Sequence, residues 1–285
     1  MEPTGSGGRR RRQLRSAVHG LRVHGSLASE RSGDPELLAL VDNPYTDLDE
    51  THERLGELLA AFEARGDRRA VFLAIYWRMT DAVADGVRAG EFENPAWVRE
   101  YLIAFANLYR RAVRDYERGA LARVPDPWQL AFDTATGGDS LVVQDAALGV
   151  NAHINYDLAL ALDDVGVERN RRQKYDDHAA VIDSIANLVD EAQDGLAARD
   201  ADGLATLDDS LGGFDEWLTV RAIHECRESA WRTAVALHSR SRLRRRLARW
   251  LNDVTATGAA YLILSSKASD ALHESLASVE RSAGR

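Results

Sequence analysis

Beyond Gly33, apolar residues recur every three to four positions, and no stretch alternates strictly between apolar and polar. That spacing predicts helices throughout. Leu48, Leu55, Leu58, Leu59 and Phe62 share one face of a first helix that Thr46 can cap, and Gly66 ends it. Phe72, Ile75, Tyr76, Met79, Val83 and Val87 line a second, from Arg68 to about Arg88. Asn94 as cap and Pro95 at the first helical position open a third, whose stripe is Trp97, Tyr101, Ala104, Phe105, Leu108 and Ala112. Trp128 to Phe132 predicts a short helix before the Gly137-Gly138 break. Further helices are expected at Leu141 to Leu162, Arg171 to about Ala198, Phe214 to about His238 and about 240 to 266. In the helix from Phe214 the apolar face runs through Trp217, Val220, His224, Arg227, Trp231 and Val235. In the last helix the core stripe is Leu243, Leu247, Trp250, Leu251 and Val254, with arginines on the remaining arc. The fold expected is all-α, a single-domain bundle of seven to nine helices over residues 34–285.

Leu141 to Leu162 stands apart because it is apolar on every side. A helix of that kind sits at the centre of a bundle. It nevertheless carries Asn151, His153, Asn155 and Asp157, and at 100° per residue the two Asn fall on one side and His153 with Asp157 nearly opposite. Each of these must meet a partner inside the protein or lose roughly 1–3 kcal/mol in desolvation. This is where chemistry is expected.

Several stretches together resemble an uncharacterised all-helical prokaryotic domain family without an assigned function. They are Phe72 to Tyr76 with Thr80, Gly90-Glu91-Phe92 with Pro95-Ala96-Trp97, Phe105 to Tyr109, Trp128 with Ala131-Phe132, Gly149 to Leu158, and Arg227 with Ala230-Trp231. The core Asn151-Ala152-His153-Ile154-Asn155 with Asp157 is the most specific of them. The resemblance covers about residues 46–237, leaves the last helix outside, and implies one helical domain around a shared central site. It brings no activity.

Charge divides the chain. Residues 1–33 hold seven Arg against two Glu, while the whole carries −9. This Gly- and Ser-rich stretch is expected to be a disordered basic leader, and Arg15, His19, Arg22 and His24 interrupt any apolar export core. Only Lys174 and Lys267 are lysines among 36 basic residues, against 45 carboxylates. Such a surface is of the halophilic type, soluble in concentrated salt through hydrated carboxylates. Cys226 is the only cysteine, which excludes an internal disulfide and fits the cytoplasm. No apolar run reaches the ~20 residues of a membrane span. The arginines of 240–249 read as the solvated face of an amphipathic helix rather than a nucleic-acid or membrane patch.

Candidate chemistry gathers on His153, Asp157 and Arg227, with Asn151, Asn155, Trp231 and Tyr76 as binding or network residues. A helix-borne imidazole with a carboxylate at i+4 is a general-base arrangement. Arg227, among apolar neighbours, calls for a buried carboxylate, for which Asp157 is the candidate, or for an anionic ligand group. His153 with Asp157 and His224 with Glu228 repeat one spacing, so two facing pairs could hold zinc, manganese or iron. Arg227 beside Glu228 argues against a cation there. His178, next to Asp176 and Asp177, is expected on a solvated helix start. These residues are compatible with three readings: an enzyme acting on a small molecule, a non-catalytic small-ligand binder or scaffold, and a metal-dependent hydrolase.

Overall fold

Short polar side chains start the helices, and where each start falls sets the register of the helix behind it. The computed structural model describes residues 33–138, 140–199 and 220–265, and among them every regular element is helical. Helix α1 (Pro35–Val41) begins where Asp34 accepts the N–H groups of Glu36 and Leu37. Helix α2 (Leu48–Ala64) is capped by Asp47, which accepts the Glu50 N–H, and not by Thr46. Thr46 donates its N–H and hydroxyl to the Glu50 carboxylate instead, at 2.9 and 2.6 Å. Helix α3 (Arg69–Ala89) ends on Gly90, whose φ of 77° suits a residue without a Cβ. Helix α4 (Pro95–Glu117) starts from Asn94, whose side chain accepts the Trp97 N–H. After α5 (Asp126–Gly137) the chain enters the central helix, and then α8 (Arg171–Arg199), α9 (Val220–Leu237) and α10 (Arg242–Ser265).

The central helix is not one regular α-helix. It runs as α6 (Val142–Val150), a wide π turn over Asn151–Asp157, and α7 (Leu158–Val165). The Leu158 N–H donates to the His153 carbonyl, five residues back instead of four. The polar cluster expected on an α-helix therefore coincides with the wide turn. Counting this helix once, the described residues form nine helices in one bundle, beside a short 3-10 turn at Leu121–Arg123. Helix α6 packs on α3 and α5, the wide turn on α10 and α9, and α7 on α9 and α4, so the segment is covered from all sides.

Helix α10 packs the opposite way round from the sequence expectation. Ala248, Asn252, Ala256, Ala260 and Ile263 are buried, whereas Leu243, Leu247, Trp250, Leu251 and Val254 face outward. The cause is close approach to the central helix. Gln144 Nε2 donates to the Ile263 carbonyl (3.2 Å), Asn151 Nδ2 to the Ala256 carbonyl (2.8 Å) and Asn252 Nδ2 to the Tyr156 carbonyl (3.0 Å). Side-chain amides reach backbone oxygens across the interface only where small residues let the backbones come together. The pairs run antiparallel, 144 with 263, 151 with 256 and 156 with 252. Similarly, α9 buries Ile223, Arg227, Ala230, Trp231, Ala234 and Leu237, and leaves His224 exposed rather than on its packed face. Residues 1–32 and 214–219, where the leader and the expected start of α9 fall, lie outside the described residues.

Two buried arginines fasten the connections. Arg110 donates to the Val41 and Asp42 carbonyls and to Asn107, which in turn accepts from and donates to the Tyr45 backbone. Arg69 pairs with Asp67 at 2.6 Å and Glu117 at 2.5 Å beneath Phe62.

At Gly149 the ring of Phe72 lies directly on the backbone of α6, and a Cβ there would overlap Phe72 Cβ and Cγ. Gly149→Ala is expected to lower unfolding free energy by about 1–3 kcal/mol, the range for overpacking a rigid contact. Gly137→Ala, with open space around its Cβ position, should leave it unchanged or raised. Urea unfolding of both variants checks the pair; equal effects would mean that Phe72 moves aside freely.

Candidate functional site: an aromatic box at the wide turn

Aromatic residues at four-residue spacing put Tyr101, Phe105 and Tyr109 along one side of α4, and the wide turn presses His153 into that stripe. The imidazole stacks on Phe105 with ring centroids 3.5 Å apart and planes 8° from parallel. Tyr76 meets it edge-on at 4.2 Å, and Phe72, Trp128 and Tyr109 close the box at 5.6, 6.0 and 6.3 Å. His153 is 3% exposed, and neither ring nitrogen has a hydrogen-bond partner. Burial pulls its pKa well below the usual histidine value, so the ring is uncharged at neutral pH.

Asp157 lies one wide turn on, its Oδ2 3.6 Å from His153 Nδ1, too long for a hydrogen bond. The same oxygen accepts the Trp128 indole N–H at 2.7 Å. Burial pushes the carboxyl up to about 8; the Trp128 bond and the charge of Arg111 oppose the shift without cancelling it. At neutral pH the pair is therefore mostly an uncharged acid beside an uncharged imidazole. In a medium this poor in solvation, transferring a proton between them to make two charges is disfavoured. Such a pair can donate and accept hydrogen bonds and pass a proton to a third group.

The two Asn turn away from this box. Asn151 bonds the α10 backbone and accepts the Asn155 amide at 3.0 Å, which fixes the opposite side of the turn.

Arg227 does not neutralise Asp157. Its Nη2 donates to the His178 carbonyl at 2.7 Å and lies 3.4 Å from His178 Nδ1, while His178 Nε2 stands 3.2 Å from the Arg227 carbonyl. A carbonyl only accepts, so Nε2 carries the proton and Nδ1 offers its lone pair to the guanidinium. Among the described residues no carboxylate lies within ion-pair distance of Arg227. His178 is 1% exposed rather than on a solvated helix start, and its pKa is pulled well down, by burial first and by Arg227 second. Trp231 stacks on this histidine at 5.4 Å, and Tyr101 stands 6.0 Å from it. The neighbouring Asp177 is also buried, accepting the Glu93 and Asn94 N–H groups at the start of α4.

The four candidate metal ligands do not converge. His224 is exposed on α9, Glu228 accepts the Tyr175 hydroxyl at 2.7 Å and pairs with Arg232, and His153 with Asp157 lie in the box. Among the described residues no three His, Cys, Asp or Glu side chains are grouped to hold a metal ion. Trp128 and Phe105 join the site without being among the residues that the sequence singles out for chemistry. The aromatic stripe of α4 is the available signal for Phe105; nothing local to Trp128 links it to a carboxyl 29 positions away.

The model of a family of unknown function, DUF5995, matches residues 48–266, and the chain belongs to that family. The match takes in α10, which the sequence resemblance leaves outside. Comparison with curated proteins and with solved structures gives no match.

Between its ordinary value of 3.8 and about 8, folded Asp157 keeps a proton that the unfolded chain has released. The folded protein binds more protons there, so this group's contribution falls as pH rises, by up to about 1.4 kcal/mol per pH unit. Asp157→Asn retains an acceptor for Trp128 and removes the titration. Its stability relative to the parent should climb from pH 4 to pH 8 and then level, while the opposite contribution of His153 is shared by both proteins. Denaturant unfolding across that range tests this; a flat difference would show an ordinary carboxylate.

Proposed function

We propose that this member of the DUF5995 family uses His153 and Asp157 to bind a small, uncharged, partly apolar molecule and to move a proton on it. The observation carrying this reading is the imidazole with two buried, unpartnered nitrogens beside a carboxyl held in its acid form. Aromatic rings supply apolar contact, the acid supplies a donor, and the neutral imidazole supplies one donor and one acceptor. Arg227 lies with His178, so nothing in the box balances an anionic substrate. Its part in this reading is to hold α9 against α8.

A non-catalytic binder or scaffold is the second reading, favoured by the 3.5 Å stack of His153 on Phe105, which leaves little room above that ring face. The acidic, Lys-poor composition and the single cysteine support a cytoplasmic protein of a salt-adapted cell. No described helix is long and apolar enough to cross a membrane.

Thermal unfolding with phenol, imidazole and valeramide, against toluene as an apolar control, tests the proposal. At least one polar probe should raise the melting temperature of the parent protein more than toluene does. His153→Phe should fold with equal or greater stability, since it removes buried polar atoms each costing about 1–3 kcal/mol, and should lose that shift. A shift kept in His153→Phe, or none in the parent, would leave the scaffold reading.

A further inference from the structure

Among the residues whose side chains the structure describes, the exposed large apolar ones all lie on α10: Leu243 (77% exposed), Leu247, Trp250, Leu251, Val254, Tyr261 and Leu262 (71%). Their combined surface is several hundred square ångströms, the size at which an apolar patch marks an interface rather than scatter. Leu243, Leu247, Trp250, Val254, Thr257 and Tyr261 succeed one another at spacings of four and three, the heptad seam along which one helix packs on another. This seam lies opposite the buried Ala248, Asn252, Ala256 and Ala260, so it is a second packing face and not the edge of the first.

We infer that this face binds its counterpart on a second copy of the chain, with the two α10 helices antiparallel about a two-fold axis near residue 252. Charge selects that arrangement. Residues 240–265 contain six arginines, all between Arg240 and Arg249, and one acid, Asp253. Arg242, Arg245, Arg246 and Arg249 turn toward the bundle, where with Tyr156, Asp163, Trp250 and Asp253 they line an open cleft of about 900 Å³, and no seam position carries a charge. Parallel helices would set the two arginine clusters side by side. In the antiparallel pair each cluster lies along the other helix's uncharged half, about 20 Å from its mate at 1.5 Å per residue, well beyond a Debye length of about 8 Å. The same register faces large residues with smaller ones, Trp250 with Val254 and Leu247 with Thr257. A lipid surface fits less well, because the stripe continues to Leu262 whereas residues 250–262 hold no basic side chain.

Light scattering on the full chain, at micromolar to tens of micromolar concentration in 0.15 M and 1 M salt, should give twice the 31.5 kDa chain mass. Leu247→Glu and Trp250→Glu should each halve that mass while circular dichroism stays unchanged. In a Cys226→Ser background, Trp250→Cys combined with Val254→Cys should cross-link copies on oxidation, and Leu243→Cys alone should not. A monomer in both salts, a dimer surviving both Glu variants, or cross-linking through Leu243→Cys alone would each overturn the inference. So would a monomer that sediments with phosphatidylcholine–phosphatidylserine vesicles and loses them in Trp250→Glu.

Discussion

A helix enclosed on every side gives each polar side chain it carries one direction in which to find a partner, and the partner must come from another element. The bundle is arranged around meeting that demand at residues 151–157. Asn151 is met by the backbone of α10, which forces α10 close and explains why its alanines face inward. Asp157 is met by Trp128 of α5. His153 meets rings on its faces and, in its own plane, no group at hydrogen-bond distance. Stacking offsets part of the loss, since aromatic pairs contribute about 0.5–1.5 kcal/mol each, but no ring accepts or supplies a proton in the plane of the imidazole.

The two buried histidines differ in how their ring nitrogens are engaged. Both are uncharged for the same reason, desolvation. His178 has both nitrogens engaged by Arg227, so its tautomer is settled and its ring is part of the framework between α8 and α9. His153 has neither engaged, and its tautomer is free to match whatever it touches. The rings of Tyr101 and Phe105 bridge the two, packed face to face at 6.2 Å along α4. The histidines thus sit at two ends of one aromatic row and play different parts.

The sequence announces helices well, because periods of three and four persist over long runs, and it announces the central segment because polar residues are conspicuous in an apolar one. It is poor at partners. The spacing of His153 and Asp157 puts them together on one helix but says nothing about which neighbour carries Trp128 or where Arg227 points. Asp176 and Asp177 make His178 look solvated, although Asp177 is itself buried as the acceptor for the start of α4. Helix α10 misleads for a related reason. Large apolar residues mark the core in most helices, whereas here the tighter interface takes the small residues and leaves the larger ones outside. The wide turn leaves no local mark either, because it redirects the helix beyond it and does not alter the pattern within it.

That last property makes the turn a matter of chain length. Closing a hydrogen bond over five residues accommodates one residue more than regular geometry would in the same turn. Straightening the turn into regular geometry at the same chain length would rotate α7 by about 100° relative to α6, the arc of one residue. Leu158 and Leu162, now directed at their neighbours, would swing off them together. Loss of one residue inside the turn would instead let the helix close up as a regular one with α7 still in register, and only the contacts of residues 151–157 would change. The extra residue therefore serves the side chains of the turn, and α7 keeps its place with or without it.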